Sequence, residues 1–271
     1  MLRSLASKAV IHYIRRFPRQ RGTWRLLQAS AGFLVAELEP GVSVRIAHPG
    51  DSMEAAIVRG RWKEREEADR FLSLMRPGMT VFDVGANLGM YSLMAAKRVG
   101  PGGKVHAFEP TPRLVRKVED NAALNGFSNI VINQVAVSDR PATAEFFLCA
   151  DDDQSSLAAI SDSAITVHTI TLDDYIAEQG IGRVDLVKID VEGAEVCAFA
   201  GARRLLSSPE APAIFLEINP GALGKMGSSA GELESLLRGH GYALSTVAEH
   251  EGYRNVLALP RGAAATTIPA P

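Results

Sequence analysis

The chain has 271 residues, of which 46% are hydrophobic and 22% charged, and its formal net charge is −2. These values are typical of a soluble globular protein with one large α/β domain or a domain of about 200 residues plus an extension. The slightly negative net charge argues against a nucleic acid as partner, because nucleic-acid-binding domains usually carry an excess of lysine and arginine. Two cysteines, Cys149 and Cys197, make no CxxC motif or disulfide framework, which disfavours structural zinc and suits a reducing cytoplasm.

The first 36 residues contain basic side chains and no acidic one. Apolar residues interleave with them at near-helical spacing, which predicts an amphipathic basic helix. Such a helix packs on the protein body or on a partner, or it lies on an anionic membrane surface. Charged residues interrupt the apolar stretch that a signal peptide needs, and no apolar run reaches the 18 or more residues needed to cross a bilayer. We therefore expect a cytoplasmic protein, with peripheral membrane contact through this helix as an alternative.

Residues 32–47 alternate apolar and polar positions around a Pro-Gly turn, which predicts a β-hairpin. Residues 64–75 carry an acidic first turn and an apolar stripe, which predicts a helix. The expected organisation is an N-terminal basic helix and hairpin extension (1–60), a ligand-binding domain (61–261) and a disordered tail (262–271).

From residue 79 onwards, predicted strands and helices alternate. The predicted strands are 79–84, 103–109, 129–137, 184–190, 212–218, 242–247 and 253–259. The predicted helices are 89–98, 111–125, 193–206 and 230–239. This order predicts a doubly wound α/β fold with a mostly parallel seven-stranded sheet, helices on both faces and an antiparallel edge strand from the terminal hairpin.

The stretch 138–172 departs from this alternation. It contains two candidate strands, 143–149 and 165–170, separated by a polar, acidic turn. Insertions of this kind often cover an active site, so we expect this one to lie over the ligand.

The sharpest local motif is DVGANLG at residues 83–89, where the first predicted strand ends and a helix begins. Gly85 allows a tight turn, and Gly89 allows close approach of the helix. Glu109 ends the next predicted strand, 20 residues after Gly89, where a carboxylate can accept both ribose hydroxyls of an adenosine. The simpler interpretation is that these residues only build a turn.

A dinucleotide-binding loop would have the pattern GxGxxG, whose second glycine makes room for a pyrophosphate. Here Asn87 occupies that position. An acid, Asp83, precedes the first glycine and can orient a ligand with an amino group. The loop therefore suits an adenosine with an amino-acid tail better than a nicotinamide dinucleotide, which leaves a dehydrogenase as the weaker hypothesis.

Six segments resemble, in this order, the FkbM family of methyltransferases: VFDVGANLGMYSLMAAK, GKVHAFEP, LNGFSN, AVSD, HTITLDDYI and VDLVKIDVEGAE. The resemblance covers about residues 60–220. It implies a class I methyltransferase (Rossmann-like) fold, S-adenosylmethionine as cofactor, and usually O-methylation of a hydroxyl on a sugar or other natural product. By position, the implied cofactor-binding residues are Asp83, Gly85, Ala86, Asn87 and Gly89 at the amino-acid moiety, Glu109 at the ribose, and Ala136 and Val137 at the adenine.

The fourth core strand ends in Lys188-Ile189-Asp190, and the fifth ends in Glu217-Ile218-Asn219. These strand ends place carboxylates beside the expected methyl donor, so we predict Asp190 as the catalytic base or the group that orients the acceptor. Glu217 is the second candidate, and Lys188 is a catalytic group or a structural partner of Asp190. A rival hypothesis has Asp190, Glu217 and Asn219 hold Mg²⁺.

Simpler roles remain open for several of these residues. Asp190 is also a candidate cap for the helix that follows it. Glu195 is expected to be a surface acid near the helix N-terminus, and His106 is expected to be structural.

The function expected from this pattern is O-methylation of a hydroxyl on a small molecule or glycan. One alternative is methylation of a ribose 2′-hydroxyl in RNA, whose Lys-Asp-Lys-Glu active site is partly matched by Lys188, Asp190 and Glu217, although a second lysine has no evident place. Another is a catalytically inactive protein that still binds S-adenosylmethionine. The acceptor and the oligomeric state cannot be derived from the sequence.

Overall fold

The computed structural model describes residues 11–12, 33–46, 52–59, 65–149, 155–158 and 162–261. The predicted basic helix, apart from Ile11 and His12, and the predicted disordered tail lie outside these residues. Within the described part of the chain, no helix is long and apolar enough to cross a membrane.

The strands, in chain order, are β1 (Leu34–Glu39), β2 (Val42–Ile46), β3 (Thr80–Val84), β4 (Lys104–Phe108), β5 (Ile130–Asn133), β6 (Ala136–Val137), β7 (Ala142–Phe147), β8 (Ala164–Ile170), β9 (Leu186–Ile189), β10 (Ala213–Ile218), β11 (Tyr242–Glu249) and β12 (Arg254–Pro260). The helices are α1 (Ser52–Arg59), α2 (Arg65–Ser73), α3 (Met90–Val99), α4 (Pro112–Asn125), α5 (Leu172–Glu178), α6 (Glu195–Ala200), α7 (Arg203–Leu206), α8 (Pro220–Lys225) and α9 (Ala230–Gly239). The predicted alternation of strands and helices is confirmed, whereas α1, α5 and α8 were not predicted.

The predicted N-terminal hairpin is formed by β1 and β2, which pair antiparallel. Its second strand is tied to α4, since the backbone N–H of Ser43 donates to Asn125 Oδ1 at 2.7 Å and that of Arg45 donates to Asn121 Oδ1 at 2.8 Å. Apolar residues of the hairpin such as Val44 belong to the same buried cluster as α3 and α4. The hairpin therefore packs against the body of the protein.

Seven strands form the main sheet in the order β11-β12-β10-β9-β3-β4-β5. The strands from β10 to β5 in this order are parallel to one another. The predicted doubly wound α/β fold of the class I methyltransferase type is thus confirmed, with one correction to the position of the reversed strand. It is β12, which runs antiparallel to both β10 and β11, so the edge strand β11 runs parallel to the rest.

Two predicted elements, one strand and one helix, are each divided into two shorter elements in the structure. The predicted strand 129–137 divides into β5 and β6, because β6 leaves the main sheet and pairs with β8 in a separate sheet of order β6-β8-β7. The predicted helix 193–206 divides into α6 and α7 around Gly201. A Cβ at Gly201 would lie 2.2 Å from the carbonyl oxygen of Ser138, so this position requires glycine.

Both faces of the main sheet are buried, and alternate residues of a strand enter different apolar clusters. On β3, Val81 packs with α2 and α3 on one face, whereas Phe82 and Val84 pack with α6 and α9 on the other. Because the five strands from β10 to β5 are parallel, their carboxyl ends lie at one edge of the sheet. An open α/β sheet binds its ligands at that edge.

Candidate functional site

A cavity of about 480 Å³ opens at the carboxyl ends of the central strands. Its wall includes residues that follow β3, β4, β9 and β10, together with part of the three-stranded sheet. Among the predicted site residues, those that line the cavity are Gly85, Ala86, Asn87, Glu109, Ala136, Val137, Lys188, Asp190 and Glu217. The fold thus brings most of the predicted site into one place.

The glycine loop after β3 packs directly on the end of β9. Gly85 has a φ of +80°, and its backbone N–H, like that of Ala86, donates to the carbonyl of Phe108 at 3.0 Å. A Cβ at Gly85 would lie 1.9 Å from the backbone oxygen of Asp190. Only glycine fits at this position, and its absence of a side chain lets the predicted cofactor loop lie against the predicted catalytic strand.

Glu109 is fixed from two sides by backbone donors. The N–H of Asn87 donates to its Oε2, and the N–H of Thr111 donates to its Oε1, both at 2.9 Å. The carboxylate is 4% exposed and lines the cavity. These donors hold the carboxylate in one orientation, and a carboxylate oxygen accepts more than one hydrogen bond, so it remains suited to ligand hydroxyls.

Two buried oxygens in this part of the wall have no hydrogen-bond partner among the residues that the structure describes. They are Asn87 Oδ1 and Thr111 Oγ1. A buried polar atom without a partner is costly, so a cavity lined by such atoms favours a polar ligand. Asn87 also has a φ of 50°, a left-handed backbone conformation that asparagine tolerates better than most residues.

Asp83 and Gly89 are placed differently from the sequence prediction. Asp83 is 1% exposed, lies beneath the loop, and accepts a hydrogen bond from Ser92 Oγ at 2.5 Å. Burial raises the pKa of Asp83, and the nearby Lys188 ammonium counteracts part of that rise. Gly89 has a φ of +79° and packs on Val118, which a Cβ would approach to 2.9 Å. Both residues support the loop from behind.

Lys188 is 6% exposed and contacts three oxygen-bearing groups. Its Nζ donates to the carbonyl of Gly85 at 3.2 Å and to Asp190 Oδ2 at 3.4 Å, and it lies 3.9 Å from Asp83 Oδ1. The ammonium also lies 5.2 Å from the centroid of the Tyr91 ring. Lys188 therefore joins the loop to Asp190, which fits its predicted role as a partner of that acid.

Asp190 does not cap the following helix, so that alternative is wrong. Helix α6 has Ala194 at its N-cap, without a side-chain cap. Glu195 instead accepts from the backbone N–H groups of Val191 and Gly193, at 3.1 and 3.3 Å. The Asp190 side chain is 33% exposed and faces the cavity.

Glu195 was expected at the surface, and this expectation is also wrong. It is 3% exposed, and burial raises its pKa. Its carboxylate holds the loop that follows β9, which explains why an acid is buried at the start of α6.

Glu192 is a cavity residue that the sequence interpretation missed. Oxygens of Asp190, Glu192 and Glu217 all lie within 4.8 Å of one another. Glu192 has a φ of 51°, and Ser156 Oγ donates to its backbone carbonyl at 2.7 Å. Backbone strain outside glycine is concentrated at functional sites. The signal available in the sequence was a second acid two residues after Asp190.

The predicted magnesium set does not form, because the side chain of Asn219 has another role. Its Oδ1 accepts from the backbone N–H groups of Gly221 and Ala222, both at 3.1 Å, and so caps α8. Of the remaining carboxylates, that of Asp190 lies 3.4 Å from the Lys188 ammonium. Exposed acidic groups often cluster without a metal, so this cluster alone does not indicate one.

The three-stranded sheet covers the cavity, as expected for the insertion. Phe146 of β7 and the segment Ser155–Leu157 contribute to the wall. Ala136 and Val137 of β6 lie on the same side and are 6% and 3% exposed. The surface formed by Phe146, Ala136 and Val137 is apolar and suits the adenine ring.

His106 is structural, as predicted. Its Nδ1 lies 2.8 Å from the hydroxyl of Tyr175 in the core of the sheet. Burial and the neighbouring Lys104 lower its pKa to about 4, so it is neutral near pH 7. It does not line the cavity described above.

Comparisons with known proteins find related sequences and structures. The methyltransferase FkbM domain matches residues 83–244. The 31-O-demethyl-FK506 methyltransferase FkbM of Streptomyces tacrolimicus is 32% identical over 209 residues, which cover 65% of this chain and 76% of that protein. The 2-O-methyltransferase NoeI of Sinorhizobium fredii is 26% identical over 152 residues, which cover 49% of this chain and 61% of that protein.

The crystal structure of methyltransferase FkbM from Methylobacillus flagellatus KT has the same fold, with a TM-score of 0.50 and 15% identity. That match covers 76% of this chain and 52% of the other chain, so this protein spans about half the length of that relative. The domain match covers more than half of the present chain and includes the glycine loop, Glu109 and the acidic strand ends. The chain therefore belongs to the FkbM family of S-adenosylmethionine-dependent methyltransferases.

Proposed function

We propose that this protein transfers a methyl group from S-adenosylmethionine to a hydroxyl oxygen of a sugar, glycan or other small molecule. The observation that carries the proposal is the position of Asp190. Its carboxylate faces the cavity, while its backbone oxygen lies against Gly85 of the cofactor loop. This position supports Asp190 as the proton acceptor beside the expected methyl donor.

The residues around the loop fit S-adenosylmethionine. Glu109 offers an oriented carboxylate for the ribose hydroxyls, and Gly85, Ala86 and Asn87 line the cavity beside it, where the amino-acid portion would lie. The unpartnered Asn87 Oδ1 suits its amino group. Val137 and its neighbour Ala136 supply an apolar surface for adenine. Asp83 and Gly89 act indirectly by supporting the loop.

When bound, S-adenosylmethionine supplies an electrophilic methyl group on a sulfonium sulfur. Asp190 would accept a hydrogen bond from the acceptor hydroxyl and would take its proton as the hydroxyl oxygen bonds to the methyl carbon. The bond between that carbon and the sulfonium sulfur would break, and S-adenosylhomocysteine would be the leaving group. Lys188 holds one carboxylate oxygen of Asp190 from below, which fixes the orientation of the base. Glu217, and Glu192 beside it, accept further hydrogen bonds from the acceptor and set its position.

The relatives support oxygen as the methylated atom. Both are named as O-methyltransferases, one of 31-O-demethyl-FK506 and one as a 2-O-methyltransferase. A large RNA acceptor is a poorer fit, although Lys225 places a second lysine in the cavity wall. Asp190, Glu192 and Glu217 gather negative charge at the acceptor side, which repels a phosphodiester backbone.

Calorimetric titration with S-adenosylmethionine tests the cofactor, with NADH as the negative control. We expect saturable binding of S-adenosylmethionine alone, weakened about tenfold or more in Glu109→Ala, since a hydrogen bond to a charged group contributes about 1.5–3 kcal/mol. The matched control is Glu119→Ala, because Glu119 is an exposed acid on α4. An absence of binding to both S-adenosylmethionine and S-adenosylhomocysteine would falsify the proposal.

Release of S-adenosylhomocysteine in the presence of hydroxylated glycans and polyols tests the reaction itself. Asp190→Asn should abolish turnover and leave the affinity for S-adenosylmethionine unchanged. Unchanged turnover in this variant would remove Asp190 as the base. Binding without turnover on any hydroxylated acceptor would favour the inactive S-adenosylmethionine-binding protein.

A further inference from the structure

Tyr253 belongs to the cavity wall but to neither the cofactor loop nor the acidic cluster. It directly precedes β12, whose first residue, Arg254, pairs with Ile218 at the end of β10. Tyr253 therefore lies at the carboxyl edge of the sheet, beyond β10. In strand order it stands at the opposite end of the cavity from Glu109, which follows β4.

The Tyr253 ring contacts His250, which in turn contacts Glu67, and neither of these two residues lines the cavity. The imidazole of His250 stacks on it, with ring centroids 4.6 Å apart and an angle of 19° between the planes. His250 Nε2 lies 2.5 Å from Oε1 of Glu67, which is 3% exposed on α2. The turn between β11 and β12 is thereby fixed to the body of the protein.

This arrangement combines an aromatic ring with carboxylates and a lysine. Carboxylates such as Glu217 and Glu192 accept hydrogen bonds from hydroxyls, and Lys225 donates to oxygen. An aromatic side chain adds a large apolar surface at low cost in conformational entropy. Since His250 covers one face of the Tyr253 ring, an acceptor meets the opposite face or the edge.

We propose that Tyr253 binds the apolar C–H face of a ring-shaped, polyhydroxylated acceptor such as a pyranoside, and that His250 and Glu67 position its ring. The inference rests on the proposed function and extends it from hydroxyls in general to ring-borne hydroxyls. A saturated ring with equatorial hydroxyls presents polar groups at its rim and C–H groups on its face. An open-chain polyol has the same hydroxyls but no such face.

Saturation-transfer NMR on the protein loaded with S-adenosylhomocysteine tests the ring contact, with methyl β-D-glucopyranoside and sorbitol as the probes. We expect binding of the pyranoside to exceed that of sorbitol and to weaken about fivefold or more in Tyr253→Ala. Tyr253→Phe should bind like the unchanged protein, because it retains the ring. Glu251→Ala is the matched control, since Glu251 is an exposed residue of the same turn.

His250→Ala and Glu67→Ala test the positioning role. Both should weaken pyranoside binding by less than Tyr253→Ala does, without changing the affinity for S-adenosylhomocysteine. His250→Phe should restore most of the loss, because it retains a ring that can stack. In turnover assays, an identified ring acceptor should show a raised KM and a nearly unchanged kcat in these variants.

Equal binding of the pyranoside by the unchanged protein and Tyr253→Ala, or no pyranoside binding at all, overturns the inference. These outcomes are distinct from failure of the proposed function, which appears as loss of S-adenosylmethionine binding by the unchanged protein. A thermal melt of each variant identifies one that fails to fold, and in that case Tyr253→Leu, which retains apolar bulk without an aromatic face, replaces Tyr253→Ala.

Discussion

Ser156 Oγ donates a hydrogen bond of 2.7 Å to the backbone carbonyl of Glu192, and it links the three-stranded sheet to the loop that carries the acidic cluster. Ser156 is 1% exposed and is also paired through its backbone with Phe147. Glu192 has a left-handed backbone that costs about 1–2 kcal/mol outside glycine. The covering insertion therefore helps to hold a strained residue of the site in place.

Ser156→Ala should lower kcat about tenfold, because the Glu192 carbonyl loses its donor and the loop can relax. The affinity for S-adenosylmethionine should stay within about twofold of that of the unchanged protein, since the hydrogen bond from Ser156 goes to the loop at Glu192 and not to the cofactor loop at Gly85. Steady-state kinetics together with calorimetry check both statements. Ser163→Ala is the control, since Ser163 is an exposed residue of the same insertion, and an equal loss of kcat in both variants would argue against a specific role for the Ser156 hydroxyl.

Asn87 contributes to cofactor binding through both its backbone conformation and its side chain. Asn87→Gly retains the left-handed backbone but removes the unpartnered Oδ1, so we expect about tenfold weaker binding of S-adenosylmethionine with little change in Tm. Asn87→Ala should weaken binding and also lower Tm, because alanine is strained at a φ of 50°. Calorimetry and thermal melts of both variants separate the two contributions, and equal Tm values for them would contradict the conformational argument.

Methyl transfer should not require Mg²⁺. The Lys188 ammonium lies 3.4 Å from Asp190 Oδ2, and a second cation beside it would be repelled. We expect turnover to be unchanged in EDTA and on addition of Mg²⁺. A loss in EDTA that Mg²⁺ restores would instead assign the cluster of Asp190, Glu192 and Glu217 to a metal.

Glu195 should make the stability of the protein fall as the pH rises. Because burial raises its pKa above the ordinary value of 4.5, the folded state retains a proton that the unfolded state releases. Below about pH 4.5 the ionisation of Glu195 does not lower the free energy of unfolding, because Glu195 is protonated in both states. The loss of free energy of unfolding is complete once the pH exceeds the pKa of Glu195 in the folded state. Glu195→Gln removes this dependence but keeps an oxygen for the N–H groups of Val191 and Gly193.

The measurement is the Tm of the unchanged protein and of Glu195→Gln at a series of pH values from 4 to 8. The Tm of the variant relative to that of the unchanged protein should increase with pH. A constant difference would show that Glu195 titrates equally in the folded and unfolded states.

The sequence predicted those features that depend on local patterns. The alternation of apolar strands and amphipathic helices predicted the main sheet, and the motif at residues 83–89 predicted the glycine loop after β3. Three details were not predictable because they depend on long-range contacts. β12 inserts between β10 and β11, Glu195 is buried against its own loop, and Glu192 is turned by Ser156 from an insertion 36 residues away in sequence.

In the site, too, local patterns were predictable and long-range contacts were not. Strand-end residues such as Asp190 and Glu217 were identified because parallel strands end at one edge. Asp83 was expected to contact the ligand, but it is buried. It is the last residue but one of β3, its carboxylate accepts from Ser92, and it is not among the residues that line the cavity. Tyr253 gave no signal, because a single aromatic before a terminal strand is an ordinary core or surface residue.

The contact between Gly85 and the backbone of Asp190 means that the proposed cofactor loop and the strand end that carries the proposed base pack directly on each other. A side chain of any size at position 85 would separate them by the width of at least a methyl group. The backbone contact therefore sets the distance between the loop and the main chain of Asp190, and Lys188 sets the orientation of the Asp190 carboxylate. Under the proposed function, changes in the insertion or in the turn at Tyr253 would alter the acceptor pocket without altering this contact.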